Sequence, residues 1–179
     1  MKVFTNIKLF LLCTLILGMI YPVLIYFLGN LFYQDEVKGS LVYKNNEVIG
    51  SALIAQKFTA NKYFHPRPSA VDYNALGSGA SNLSPISKRL FEEVQKRKEE
   101  GHSGEMLFTS GSGLDPHISE ETALKQMNRV AEARLLSPEQ VKKLHFLVTN
   151  QLENEESNLF EKRKINVLML NSLLDKEFN

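Results

Sequence analysis

Apolar residues crowd one stretch near the start of the chain and afterwards fall into periodic patterns. From Leu9 to Gln34 the sequence LFLLCTLILGMIYPVLIYFLGNLFYQ contains no charged residue. At a helical rise of ~1.5 Å per residue, it is long enough to cross a hydrocarbon core of ~30 Å. The expected organisation is a cytoplasmic N-terminus at 1–8, a transmembrane helix at 9–31 and a soluble extracytoplasmic domain at 35–179. A cleaved secretory signal is the rival reading, but its apolar region is shorter and ends in a small-x-small site, and neither condition is met. Pro22 removes a backbone donor within the span and predicts a kink.

Beyond the span the pattern changes to short alternations and then to helical periods. Leu41–Tyr43 and Val48–Ile54 read as two strands around Lys44-Asn45-Asn46, since Asn tolerates the positive φ of a tight hairpin turn. A two-stranded hairpin is marginal alone, so it is expected to pack on helices or pair with a further strand. A helix is expected from Ser84-Pro85, lining one face with Ile86, Leu90 and Val94 and ending at Gly101. A second starts at Ser119 and buries Leu124, Met127, Ala131 and Leu135. A third starts at the capping box Ser137–Gln140 and buries Val141, Leu144, Val148 and Leu152. After a polar break at Asn154–Asn158, the run from Ile165 reads as a strand turning into a helix through Leu170, Leu173 and Leu174, although periodicity alone leaves strand and helix open there. The fold class is α+β: one transmembrane helix, then a single domain with a small sheet and several helices.

Two segments fit neither period. Residues 63–85, YFHPRPSAVDYNALGSGASNLSP, and 109–119, TSGSGLDPHIS, are rich in Gly, Pro, Ser and Asn, and a loop as long as the first is usually functional or disordered. Composition narrows the partners. The net charge is +1, which favours neither nucleic acid nor an acidic ligand. Lys2 and Lys8 precede the span while Asp35 and Glu36 follow it, so the positive-inside rule places the domain outside. The single cysteine, Cys13, lies within the span and leaves the domain no disulfide.

Both loops carry Gly-Ser-Gly, at Gly77–Gly79 and Gly111–Gly113, ahead of an expected helix, which suggests a phosphate cradle. Neither has the Gly-Lys-Ser/Thr of a Walker motif or the third glycine of a dinucleotide fingerprint. Asp115 and His117 with Ser110 or Ser112 raise hydrolysis, but neighbours on one short loop rarely converge, and no Gly-x-Ser-x-Gly elbow exists. His65 and His117 lack metal-ligand spacing. Arg67, held between Pro66 and Pro68, is a fixed donor fork that either ties down its own loop or meets a partner.

Taken together these stretches resemble the C subunit of the Kdp potassium-transporting ATPase. The residues that carry the resemblance are Gln56 and Phe58, Phe64 with Arg67–Ala70, Ser78–Asn82, Ser110–Ser119, Arg129–Ala131 with Ala133-Arg134, and Asn166–Leu168 with Leu170-Asn171. Ala80, Ser84 and Met106 depart from the family pattern. The resemblance implies a non-catalytic subunit in a bacterial inner membrane, assembled with a channel-like potassium-conducting subunit and a P-type ATPase subunit. It also implies a catalytic chaperone that raises the ATP affinity of the hydrolysing subunit; ATP is implied by the family alone, since no motif of this chain binds it. The expected loop motif facing a partner is Phe64, His65, Arg67, Ser69, Ser78, Ser81, Asn82, Ser110, Ser112, Asp115 and His117. The rivals are a direct nucleotide-binding regulator, in which the Gly-Ser-Gly loops contact ATP, and a membrane-anchored hydrolase.

Overall fold

A computed structural model describes residues 2–153 and 163–178. The expected polar break at Asn154–Asn158 and the side chain of Leu152 lie outside the described residues. The chain divides into two units, Met1–Leu41 and Val42–Asn179.

The first unit is helical without a break from Lys2 to Phe32. Helix α1 (Lys2–Leu15) passes through a π-helical turn (Ile16–Ile20) into α2 (Tyr21–Phe32), and one further turn, α3 (Gln34–Val37), follows. Its 30-residue stretch Val3–Phe32 contains an 18-residue window of mean hydropathy 2.4, and among the described residues it is the one helix long and apolar enough to cross a membrane. The π turn lies directly before Pro22, where the Tyr21 N–H bonds the Ile16 carbonyl. A proline ring crowds the carbonyl four residues back and offers it no donor, and the wider turn relieves that conflict. Within the uncharged part of the helix, Thr14 and Asn30 donate to the carbonyls of Phe10 and Tyr26, each at 2.8 Å.

In the second unit β1 (Leu41–Lys44) and β2 (Glu47–Ser51) form the hairpin, with Asn45 and Asn46 at φ 52° and 66° as its turn requires. The first loop leads to α4 (Lys88–Glu99) and a 3₁₀ turn (Gly104–Leu107). Then come β3 (His117–Ser119), α5 (Glu120–Ala133), α6 (Pro138–Glu153), β4 (Lys164–Asn166) and α7 (Val167–Glu177). Strands β3 and β4 pair antiparallel with Ile118 opposite Ile165. The run from Ile165 is thus both strand and helix, and it changes at Asn166, whose side chain accepts from Met169 N and caps α7. Phe64, Ile118, Val130, Leu144, Val148, Ile165, Leu170 and Leu174 form the core between α5, α6, α7 and the β3–β4 pair.

Two expectations are corrected. Helix α4 starts at Lys88, because the Ser87 side chain accepts from Leu90 N; Ser84-Pro85 form a separate turn and Ile86 is left 95% exposed. Leu135 is not core either: α5 ends before it, and Leu135 takes φ 55° at 91% exposure. The Leu136 N–H bonds the Ala131 carbonyl across this left-handed residue, the six-to-one closure of a Schellman cap, and Leu136 packs on the core in its place. The Ser137–Gln140 capping box forms reciprocally, at 2.9 and 3.3 Å.

One ion cluster ties the hairpin to the helices. Asp175 on α7 accepts from Lys44 at 2.7 Å, from Arg134 at 2.8 Å and from the Tyr63 hydroxyl at 3.0 Å. Burial opposes its charge, but the bonds from Lys44, Arg134 and Tyr63 outweigh that and hold its carboxyl below the usual range.

Candidate functional site

The first loop is anchored at its start by two side-chain amides. Asn171 on α7 accepts from the buried Phe64 N–H at 2.8 Å and donates to the Phe64 carbonyl at 2.9 Å. Gln126 on α5 does the same for His65, at 2.8 and 3.0 Å. Pro66 and Pro68 cannot donate and hold φ fixed, so the backbone continues extended to Ser69. There the Ser69 hydroxyl accepts from Val71 N and Tyr73 N, at 3.2 and 2.9 Å, supporting Asp72 and Tyr73 at φ 52° and 58°. The turn sends the Tyr73 hydroxyl back to the Arg67 carbonyl at 2.9 Å, and burial pushes its pKa up to about 12.

The second loop is bonded directly to the first. Ser110 N donates to Pro68 O at 3.0 Å, and Gly79 N and the Ser78 hydroxyl both donate to Ser112 O, at 2.8 and 3.0 Å. At Gly113, φ is 69° and an added Cβ would lie 2.7 Å from both Gly79 O and the Val71 side chain, so glycine is required both by conformation and by close approach. Arg67 completes the junction: its Nη2 donates to Thr109 O at 3.1 Å, and its Nη1 lies 3.7 Å from Asp115. Its Nε is buried without a hydrogen-bond partner. Arg67 thus ties its own two loops together.

Asp115 accepts from His117 N at 3.0 Å, and its bonds to His117, with the charge of Arg67 behind them, hold its carboxyl below the usual range against the opposing effect of burial. This Asp-Pro-His turn starts β3, and Ser119 at the end of β3 caps α5 by accepting from Thr122 N. Ser110 is buried, and the Ser112 hydroxyl accepts from Leu114 N at 3.1 Å, so neither serine is presented beside Asp115 and His117 as an exposed nucleophile. Ser81 lines a cavity of about 270 Å³ with Ser69, Thr109, Glu93 and Arg97, while Asn82 is exposed at φ 52°. Phe64 belongs to the core and His65 faces away from the second loop, towards Arg129 and His102.

Sequence reasoning passed over Gln126, Tyr73 and Glu105, the last of which accepts from Ser119 N at 2.7 Å, and named Asn171 only among the residues that carry the resemblance. Asn171 carried a usable signal. It stands on the apolar side of α7 between Leu170 and Leu174, and an amide there must find partners. The others are polar residues on polar stretches and carry no such mark.

Comparison with known proteins gives these motifs a family. A family model described as "KdpC: K+-transporting ATPase, c chain" matches residues 3–176. The potassium-transporting ATPase KdpC subunit of Leptospira interrogans is 43% identical over 97% of this chain and 93% of its own length. The corresponding subunit of Gloeobacter violaceus is 43% identical over 88% of this chain and 87% of its own, and that of Pectobacterium atrosepticum 38% over 97% and 95%. With both loops, the helices that clamp them and the apolar N-terminal helix all inside the matched region, the chain belongs to the family of the c chain of K+-transporting ATPases.

Proposed function

We propose that the chain sits in the bacterial inner membrane as a single-pass subunit, with its N-terminus in the cytoplasm and residues 35–179 outside. There its joined loops dock on the potassium-conducting subunit of the pump near the outer entrance. The topology rests on Lys2 and Lys8 before the apolar helix and Asp35 and Glu36 after it. The docking role rests on one observation. A loop surface whose backbone is locked by hydrogen bonds presents two large aliphatic side chains to solvent, Leu76 at 96% exposure and Ile86 at 95%. Fully exposed apolar side chains do nothing for the fold, and on a fixed backbone they lose little entropy when a partner covers them.

In this reading the chain raises the ATP affinity of the hydrolysing subunit without touching nucleotide, by binding one conformational state of the pump better than the other. It has no Walker sequence, and ATP would be on the opposite side of the membrane. The test is purification of the complex in mild detergent with Leu76→Asp and Ile86→Asp introduced together. The expected result is loss of this chain from the complex while its own melting temperature is unchanged. Full retention, with unaltered potassium-stimulated ATPase activity, overturns the docking surface. Protection of the domain from external protease in sealed right-side-out vesicles would overturn the topology.

A further inference from the structure

Behind the first loop, on the side facing away from the second, lies a cavity of about 220 Å³. Basic side chains and hydroxyls line it: His65 from the loop, His102 and Ser103 from the turn after α4, and Lys125 and Arg129 from α5, with Gln126 between them. Apart from His65, none of these residues is among the expected partner contacts.

Arg129 is its centre. The half-buried guanidinium donates to Asn61 O at 2.7 Å and to Gln126 Oε1 at 2.8 Å, which uses two of its five donors. Its pKa is pushed down by burial, and among the described residues no carboxylate acts to restore it. His65 Nε2 lies 3.2 Å from Ala60 O and 3.5 Å from Arg129 Nη1. With its proton on Nε2 the imidazole donates to that carbonyl and meets Arg129 donor against donor; with the proton on Nδ1, Nε2 accepts from Arg129 instead. Burial first, then the charges of Arg129 and His102, hold the His65 pKa below its ordinary value. Of the nearby acids, Glu121 is paired with Lys125 at 2.6 Å on exposed surface, so Lys125 must exchange that partner to reach an anion, and Glu100, which also lines the cavity, lies 4.0 Å from Lys96; neither acts on Arg129. A buried cation without a counter-ion is costly, and surplus forked donors in a cavity suit an acceptor that is anionic and multidentate.

We propose that this cavity binds a phosphate-type tetrahedral oxyanion, with Arg129 as the principal donor and Lys125, Ser103 and His102 completing its shell. Bound there, the anion bridges α5, the turn after α4 and the start of the first loop, and stiffens the base of the docking surface. The site is separate from the Gly-Ser-Gly turns.

The experiment is calorimetric titration of inorganic phosphate, and separately of sulfate, into the full chain in non-ionic detergent at low ionic strength. Saturable binding to one site is expected, weakened about tenfold or more by Arg129→Gln and by Lys125→Gln. Thermal melting of each variant identifies any loss of fold; Lys125 is exposed, so its variant carries the test if Arg129→Gln unfolds. A second arm measures association with vesicles of neutral lipid alone or containing phosphatidylglycerol. Association that needs both the anionic lipid and Arg129, with no response to free anion, identifies a lipid headgroup as the source of the phosphate. Absence of binding in both arms overturns the proposal, as does binding that both variants leave unchanged.

Discussion

At the scale of single residues, the site depends on what a side chain is forbidden to occupy. Gly111 and Gly113 belong to the same Gly-Ser-Gly, yet an added Cβ at Gly111 meets nothing within 4 Å, whereas at Gly113 it meets backbone and requires φ +69°. Gly111→Ala should therefore be close to neutral. Gly113→Ala should destabilise by more than about 1 kcal/mol, since the left-handed conformation alone costs about that for an L residue and the Gly79 carbonyl cannot move without breaking the loop junction. Chemical denaturation gives the stability, and hydrogen exchange of the Gly79 amide, bonded to Ser112 O at 2.8 Å, reports the junction itself. Equal effects of the two substitutions would show that the loops do not meet as described. The glycines were visible in the sequence, but which of them is compelled was not, because the compelling atom belongs to a residue 34 positions away.

Elements matter next, because two helices hold a loop that has little secondary structure of its own. Asn171 on α7 and Gln126 on α5 each place an amide against an extended backbone as a neighbouring strand would. The two clamps differ in burial: Asn171 and Phe64 are enclosed, while Gln126 and His65 are only partly buried. Water can replace the Gln126 bonds but cannot reach those of Asn171. Asn171→Ala should thus cost roughly 1–3 kcal/mol for each orphaned group, and Gln126→Ala clearly less, as read from urea midpoints. The reverse order would mean that the core, and not α5, is the looser support. Helix starts behaved differently from helix positions in the sequence. Ser119 and Ser137 cap where expected because each capping serine stands at the N-cap with its partner donor in the following turn. The start of α4 moved to Ser87 because Ser84 and Ser87 are both competent caps, and the fold uses the later one, leaving Ile86 in solvent.

For the domain as a whole, charge makes stability depend on pH in a defined direction. His65 is held below its ordinary pKa of 6.5 by burial and by Arg129 and His102. The folded state prefers it neutral, so its contribution is complete above pH ~6.5 and declines as pH falls below that value. Asp175, Asp115 and Glu105 are depressed acids, the first by Lys44, Arg134 and Tyr63 against burial, the second by His117, the third by Thr122 and Ser119 against burial. Their contributions are present above about pH 4 and are lost on further acidification. Melting temperature should fall in two phases on acidification, one starting near neutrality and one below about pH 4. His65→Gln should remove the first phase alone. A single acid transition in the wild-type chain, identical in that variant, would contradict the environment described for His65.

Local chemistry settled much of this protein before any tertiary contact formed. The apolar N-terminal helix, the Asn-Asn hairpin, the capped starts of α5 and α6, and the family-bearing loops all follow from residue type and near-neighbour spacing, because the forces that produce them act within a few residues. The end of α5 at Leu135, the start of α4, the joining of the two loops and the cationic cavity around Arg129 were decided only by the folded chain. Each depends on groups distant in sequence competing for the same space or the same hydrogen bond, and one-dimensional periodicity holds no record of which competitor wins.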